Sequence, residues 1–169
     1  MKTKINIYYL LLAFSILVFA GCKEKEEDED DGVDTKVYYS EWITPSAWLG
    51  ESGDWYFSVD APELTADIVE KGVILAYAAL DGDIYDAAVR PLPAYAVGAN
   101  WDFLIPDYEI IEFTSDMDSQ PVTNGNNFRF IVIPGNAEIL KSASIEKMNE
   151  ITLRNMAYKD VCKLFSIPE

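Results

Sequence analysis

The sequence predicts a mainly β domain, an antiparallel β-sandwich or an open barrel with one short internal helix and one short C-terminal helix. Several stretches alternate between apolar and polar residues with a period of two and are rich in aromatic and β-branched side chains. The turn dipeptides Asp81-Gly82 and Asn124-Gly125 stand between such stretches. Residues 73–80 are apolar at almost every position, which is typical of a central strand covered on both faces. Short strands separated by turns favour this fold class.

Two early stretches show the alternation most clearly. In residues 36–43 it predicts a strand with Tyr38, Ser40 and Trp42 on one face and Val37, Tyr39, Glu41 and Ile43 on the other. Residues 55–60 repeat the pattern, with Trp55, Phe57 and Val59 on one face.

A short helix is predicted over residues 62–72. Pro62 suits the first turn and Gly72 suits a left-handed stop, and Leu64, Ile68 and Val69 would face the sheet. After the central strand, Asp81-Gly82 predicts a hairpin whose return strand covers residues 84–89. Prolines in residues 90–93 then end that strand.

Further strands are predicted over residues 101–105, 108–114 and 128–133. Near the C-terminus, Tyr158, Val161, Cys162 and Phe165 follow the i, i+3, i+4, i+7 spacing of one helix face. Within that stripe we expect the Cys162 thiol to pack as a small apolar side chain.

The first 21 residues have the layout of a secretory signal peptide. Lys2 and Lys4 precede an apolar run over residues 7–20, and the small Gly21 precedes Cys22. Phe19-Ala20-Gly21-Cys22 resembles the lipobox of bacterial lipoproteins, with Phe19 in place of the preferred leucine. The resemblance implies cleavage between Gly21 and Cys22 and lipidation of Cys22. The alternative is a transmembrane anchor, but the apolar run of about 14 residues is short of the roughly 20 that a bilayer requires.

Residues 22–35 follow as an acidic, flexible tether, because like charges at this density repel one another and extend the chain. The run that follows Cys22 resembles the surface-export signal of Bacteroidetes-type lipoproteins. The resemblance implies an outer-membrane protein that faces the cell exterior, with a periplasm-facing position as the alternative. The remaining residues, 36–169, are then one β-rich globular domain.

The body of the chain resembles a family of small Bacteroidetes-type lipoproteins in the order of several short motifs. These are residues 39–42 with Thr44-Pro45, residues 67–73, residues 128–130 with 133–135, and residues 158–162. The resemblance implies a location and a domain shape, and it implies no catalytic residues.

Charge and composition limit the chemistry of this domain. The chain carries 29 acidic and 13 basic residues, a formal net charge of −16. Such an excess of negative charge repels phosphate backbones, so we expect no nucleic-acid partner. Histidine is absent, which excludes the usual Ser-His-Asp and Cys-His centres and zinc sites that need histidine. No phosphate-binding glycine loop is present either, and we expect no cofactor.

The acidic turns offer two weak candidates for a calcium site. Asp81, Asp83 and Asp86 form one, and Asp116 and Asp118 form the other. Neither matches an EF-hand loop, and Asp81-Gly82 is already explained as a turn. We therefore interpret these residues as turn acids and expect no metal.

Two functions of different classes remain. The first is a non-catalytic module that binds a glycan or an envelope protein, with Trp48 and Trp101 as the candidate contacts because both stand in or next to predicted loops. The second is a small exported hydrolase that uses paired carboxylates. Because no catalytic motif is recognisable, we favour the binding module.

Overall fold

A computed structural model describes residues 36–85, 88–135 and 150–169. The chain builds two antiparallel sheets that pack as a β-sandwich with short helices, which confirms the predicted fold class. The strands are β1 Tyr38–Tyr39, β2 Leu49–Glu51, β3 Asp54–Asp60, β4 Val73–Ala79, β5 Val89–Pro91, β6 Ala94–Ala96, β7 Ala99–Leu104, β8 Ile110–Ser115 and β9 Asn127–Ile133. The helices are α1 Ala66–Lys71, α2 Glu150–Arg154 and α3 Tyr158–Phe165.

The strand order differs between the two sheets. The first sheet has four strands in the order β1-β9-β4-β5, and the second has five in the order β2-β3-β8-β7-β6. β9 therefore lies between β1 and β4. Its residue Val132 pairs with Tyr38 of β1 on one side and with Ile74 of β4 on the other. The long-range pairing of β9 joins the beginning of the domain to its last strand.

The space between the sheets is filled by one apolar cluster that is rich in aromatic rings. As predicted, Trp55, Phe57 and Val59 of β3 all point into it. Phe128 at its centre contacts Phe57 and Phe113 with ring centroids 5.1 and 5.0 Å apart. The predicted helix residues Leu64, Ile68 and Val69 also pack here.

A second apolar cluster covers the opposite face of the four-stranded sheet. Leu75 and Ile131 of that face pack against side chains of the C-terminal helices. Tyr158, Val161 and Cys162 of α3 are buried there, which confirms the predicted stripe and places the thiol in the core. The apolar character of residues 73–80 is therefore explained, because β4 is covered by the second sheet on one face and by helices on the other.

The predicted strand over residues 36–43 is interrupted by a bulge. Ser40 N–H donates to the Phe130 carbonyl, and the next backbone pair joins Ile43 to Phe128. Glu41 and Trp42 thus both lie opposite Arg129, so one residue is extra on this side. The bulge turns the Trp42 side chain to the helix-covered face and the Ile43 side chain to the inter-sheet core, where Tyr38 also packs. The prediction that Trp42 shares a face with Tyr38 is therefore wrong.

The internal helix is shorter than predicted, since it starts only after Thr65. Gly72 ends it with φ of −86°, so the expected left-handed stop is wrong. A Cβ at this position would lie 2.7 Å from the Ile68 carbonyl oxygen and 2.8 Å from that of Ile133. Glycine is therefore required here by the close approach of α1 to β9.

The hairpin predicted at Asp81-Gly82 is also different in the structure. Gly82 has φ of +76° in a turn, but β5 begins only at Val89, which pairs with Ala79. The predicted return strand over residues 84–89 is wrong, because the described residues Ile84, Tyr85 and Ala88 lie in no strand.

The short strands β2 and β6 and the helix α2 have no counterpart in the sequence prediction. The predicted signal peptide and tether, residues 1–35, lie outside the described residues. Over the described ranges, no helix is both long and apolar enough to cross a membrane.

Candidate functional site

The two tryptophans predicted to contact a ligand are both buried. Trp48 is 3% exposed and Trp101 is 1% exposed, so neither indole face is open to a sugar ring. The prediction of a stacking site at these residues is therefore wrong.

Both indoles are instead held in the core between the sheets. Their rings pack edge to face with centroids 5.9 Å apart, and the Trp48 ring lies 5.0 Å from that of Phe57. The Trp101 Nε1–H donates to the Ala96 carbonyl at 2.9 Å, which satisfies its polar atom within β6 and β7. A short edge strand, β6, covers Trp101, and the sequence pattern does not reveal it.

A largely apolar groove lies on the helix-covered face of the four-stranded sheet, at the end where α3 begins. We call it the Trp42 groove; its volume is about 520 Å³, within the range of small-molecule sites. It is lined by Trp42, Ala79, Val89, Asn127, Tyr158, Lys159 and Glu169.

Among the described residues, the helical cover of this face ends at Tyr158, one row before the end of the sheet. Tyr158, the first residue of α3, contacts Tyr77 with ring centroids 4.9 Å apart. The next row of the sheet, Val89, Ala79 and Asn127, lies beyond that contact and forms the floor. The small Ala79 in the middle of this row gives the groove its depth.

Trp42 forms a wall of the groove because of the bulge at residues 41–42. Its ring lies 5.6 Å from that of Tyr158 and 5.9 Å from the Arg129 guanidinium. These contacts fix the indole while leaving it only half-buried. Sequence reasoning missed this residue because strict alternation places it in the inter-sheet core.

Arg129 lies behind the aromatic wall and is 2% exposed. Its Nε–H donates to the Ser40 carbonyl at 2.8 Å, and its Nη1 donates to the Pro168 carbonyl at 2.6 Å and to the Tyr158 hydroxyl. All three acceptors are uncharged, and the rings of Tyr39, Trp42 and Tyr158 surround the cation. Arg129 thus ties the chain before the bulge to the last turn of the domain.

The rim of the groove is polar. Lys159 Nζ lies 3.7 Å from a Glu169 carboxylate oxygen in an exposed ion pair. The Asn127 amide also lines the rim, and its oxygen accepts a hydrogen bond of 2.6 Å from the Thr44 hydroxyl. Burial raises the pKa of Tyr158 to about 12, more than the hydrogen bond from Arg129 lowers it, so the phenol stays protonated at neutral pH. An apolar floor and aromatic wall with hydrogen-bonding groups at the rim suit a ligand that has one apolar and one polar face.

The acidic turns have structural partners. Asp116 accepts hydrogen bonds from the backbone N–H and side-chain amide of Asn100, at 2.7 and 2.6 Å. Asp83 binds Arg90 through two hydrogen bonds of 2.7 Å and accepts a third from Tyr85 N–H at 3.0 Å. Asp86 of the first calcium candidate lies outside the described residues. In the described ranges, no group of three or more Cys, Asp or Glu could hold a metal ion.

The Asp83–Arg90 pair predicts a specific pH dependence of stability. Arg90 holds the pKa of Asp83 at about 2, below its usual 3.8. Because the pKa of Asp83 is lower in the folded than in the unfolded protein, its ionised form stabilises the fold at any pH above the unfolded-state pKa of about 4. This contribution to the free energy of unfolding is lost as the pH falls from about 4 to 2. The melting temperature of Asp83→Asn should therefore lie below that of wild type at pH 7, and the two should converge over that interval.

Arg90→Gln is the matched control for this experiment, because it removes the same pair from the other side. Its melting temperature should converge with that of wild type over the same interval. A difference that persists unchanged at pH 2 in both variants would contradict the assignment.

Comparison of the chain with protein-family models, with curated proteins and with solved structures finds no match.

Proposed function

We propose that the chain is a lipid-anchored outer-membrane protein displayed to the cell exterior, in which residues 36–169 form a non-catalytic binding module for a saccharide held in the Trp42 groove. The anchor rests on Gly21-Cys22 after the apolar run, and the display rests on the acidic residues that follow. Two or more acyl chains at Cys22 would attach the protein stably. The domain then needs no membrane-binding surface of its own.

The groove itself carries the binding part of the proposal. Sugar rings have an apolar C–H face and a polar hydroxyl edge, and the groove pairs an indole and Val89 with an amide and an ion pair at the rim. The indole is held in place by Arg129 and Tyr158, so binding orders few side chains. The protonated Tyr158 and the hydrogen-bonded turn acids Asp83 and Asp116 also favour binding over acid–base chemistry.

The test of the groove is binding of the full-length chain, in a mild detergent, to a panel of immobilised neutral and acidic oligosaccharides. Trp42→Ala should weaken binding at least about tenfold, because a well-packed aromatic side chain is a typical hot spot. Ala79→Leu should weaken it as well, because the larger side chain fills the floor of the groove.

Tyr95→Ala is the control, since Tyr95 is 70% exposed on the other sheet and should not affect saccharide binding. Melting curves of all variants check that the domain is folded. Binding that is unchanged in both groove variants, or absent for every saccharide, would refute the assignment of the groove.

The anchor has its own test. Cys22→Ser should abolish incorporation of labelled fatty acid and release the protein from the membrane fraction, because the hydroxyl cannot form the thioether. Digestion of the wild-type protein by protease added to intact cells checks outward display. Protection of the domain in intact cells, with digestion only after lysis, would place it in the periplasm.

A further inference from the structure

The outer face of the five-stranded sheet has an unusual distribution of charge. Its five strands contain no Lys or Arg, whereas the four-stranded sheet contains two, Arg90 and Arg129. Trp55, Phe57 and Val59 of β3 point into the core, so the alternating residues of the strand point outward. The outward carboxylates of this sheet are Glu51, Asp54, Asp60, Asp102 and Glu112, and we call this surface the acidic face.

Apolar side chains lie among these carboxylates. Leu49 is 54%, Tyr95 70% and Leu104 44% exposed, and they stand on strands β2, β6 and β7 respectively. The face is therefore amphipathic across its full width, from one edge strand to the other.

None of the basic residues that the structure describes stands on these five strands. The described ones are Lys36, Lys71, Arg90, Arg129, Arg154, Lys159 and Lys163, all outside the five strands. Of these, Arg154 approaches this sheet, with its guanidinium 5.9 Å from the Phe103 ring. Glu51 and Asp54 are directly opposite each other on β2 and β3, and like charges at such positions destabilise a sheet, a cost that a cationic partner would relieve.

The carboxylates are spread out rather than gathered. Within the described ranges, no three of them converge in a way that could hold a metal ion. Asp54 and Asp60 stand at opposite ends of β3, about 20 Å apart at the rise of a strand. This spacing suits a row of cations on an extended chain better than a single ion.

We propose that the acidic face is a docking surface for an extended, lysine- or arginine-rich segment of a partner protein. Cationic side chains of the partner would pair with the carboxylates, while Leu49, Tyr95 and Leu104 contact its apolar atoms. The surface lies on a different sheet from the Trp42 groove, so it does not depend on saccharide binding.

The test uses the full-length chain in a mild non-ionic detergent and a fluorescent peptide of about ten residues that alternates lysine and threonine, long enough to span the face. Binding is measured by anisotropy at about 0.15 M salt. Glu51→Gln/Asp54→Asn/Asp60→Asn should weaken binding about tenfold, because three exposed ion pairs are lost. Glu41→Gln/Asp81→Asn/Asp160→Asn removes the same charge from exposed sites outside the face and should change the affinity less than about twofold.

Tyr95→Ala gives a second measurement that charge alone would not move. It should weaken the peptide's affinity although the net charge is unchanged. Equal losses in the two triple variants would mean that only total charge matters, and would overturn the proposal. Unchanged peptide binding in the variant of Glu51, Asp54 and Asp60 would also overturn the proposal. A third contrary result would be that the small polyamine spermine binds in a way that depends on these carboxylates, whereas the peptide does not bind.

Discussion

Phe128→Ala is expected to destabilise the domain by about 4 kcal/mol, which is typical of a large aromatic side chain removed from a tightly packed core. Phe128 is fully buried, and its ring contacts those of Trp48 and Trp101 at centroid distances of 5.8 and 6.0 Å. The substitution leaves a cavity between the two sheets and removes several aromatic pairs at once. Urea unfolding followed by tryptophan fluorescence and by circular dichroism measures the loss.

Phe128→Leu retains part of the volume and should cost clearly less than Phe128→Ala. Tyr95→Ala removes an aromatic ring that is 70% exposed and should leave the free energy of unfolding within about 0.5 kcal/mol of wild type. A loss below about 1 kcal/mol for Phe128→Ala would mean that this ring is not the centre of the core.

Arg129→Met is the second substitution with a large expected effect, a loss of about 3–5 kcal/mol. The variant retains an unbranched apolar side chain in place of the aliphatic part of arginine but leaves the Ser40 and Pro168 carbonyls without their donor. Both acceptors lie at the junction between the first strand and the C-terminus. Urea unfolding gives the total loss, and amide hydrogen exchange shows whether residues 36–43 and 158–169 lose protection first.

Lys163→Met is the matched control, because Lys163 is exposed on α3. This variant should unfold at the same urea concentration as wild type. Arg129→Lys keeps the charge but cannot reproduce the planar donors, so its stability should fall between wild type and Arg129→Met. A stability of Arg129→Met equal to that of wild type would show that the buried guanidinium does not hold the two segments together.

The fold class was predictable from the sequence because the longer strands bear a regular pattern. β3 alternates cleanly, and β4 and β9 are apolar on both faces because both lie in the middle of a covered sheet. β2 and β6 were not predictable, since three residues are too few to show a period. The hairpin at Asp81-Gly82 was misplaced because the dipeptide fixes a local turn but not where the strands resume.

The candidate site was much less predictable. Trp48 stands in a stretch that looks like an exposed loop, and only the tertiary packing of Phe57, Trp101 and Phe128 shows that its ring is buried. Trp42 was assigned to the wrong face because a single extra residue in a bulge reverses the alternation. Local patterns specify which faces of a strand are apolar, but they do not specify bulges.

The pairing of β1 with β9 also has a consequence for how the domain folds. Tyr38 pairs with Val132, so the four-stranded sheet cannot close until nearly the entire chain is present. Contacts between residues so distant in sequence make folding slow, because the entropy of closing the loop is lost before the contact forms. During synthesis from the N-terminus, the four-stranded sheet therefore cannot form before residue 133 has appeared, and α3, which covers its outer face, follows only after that.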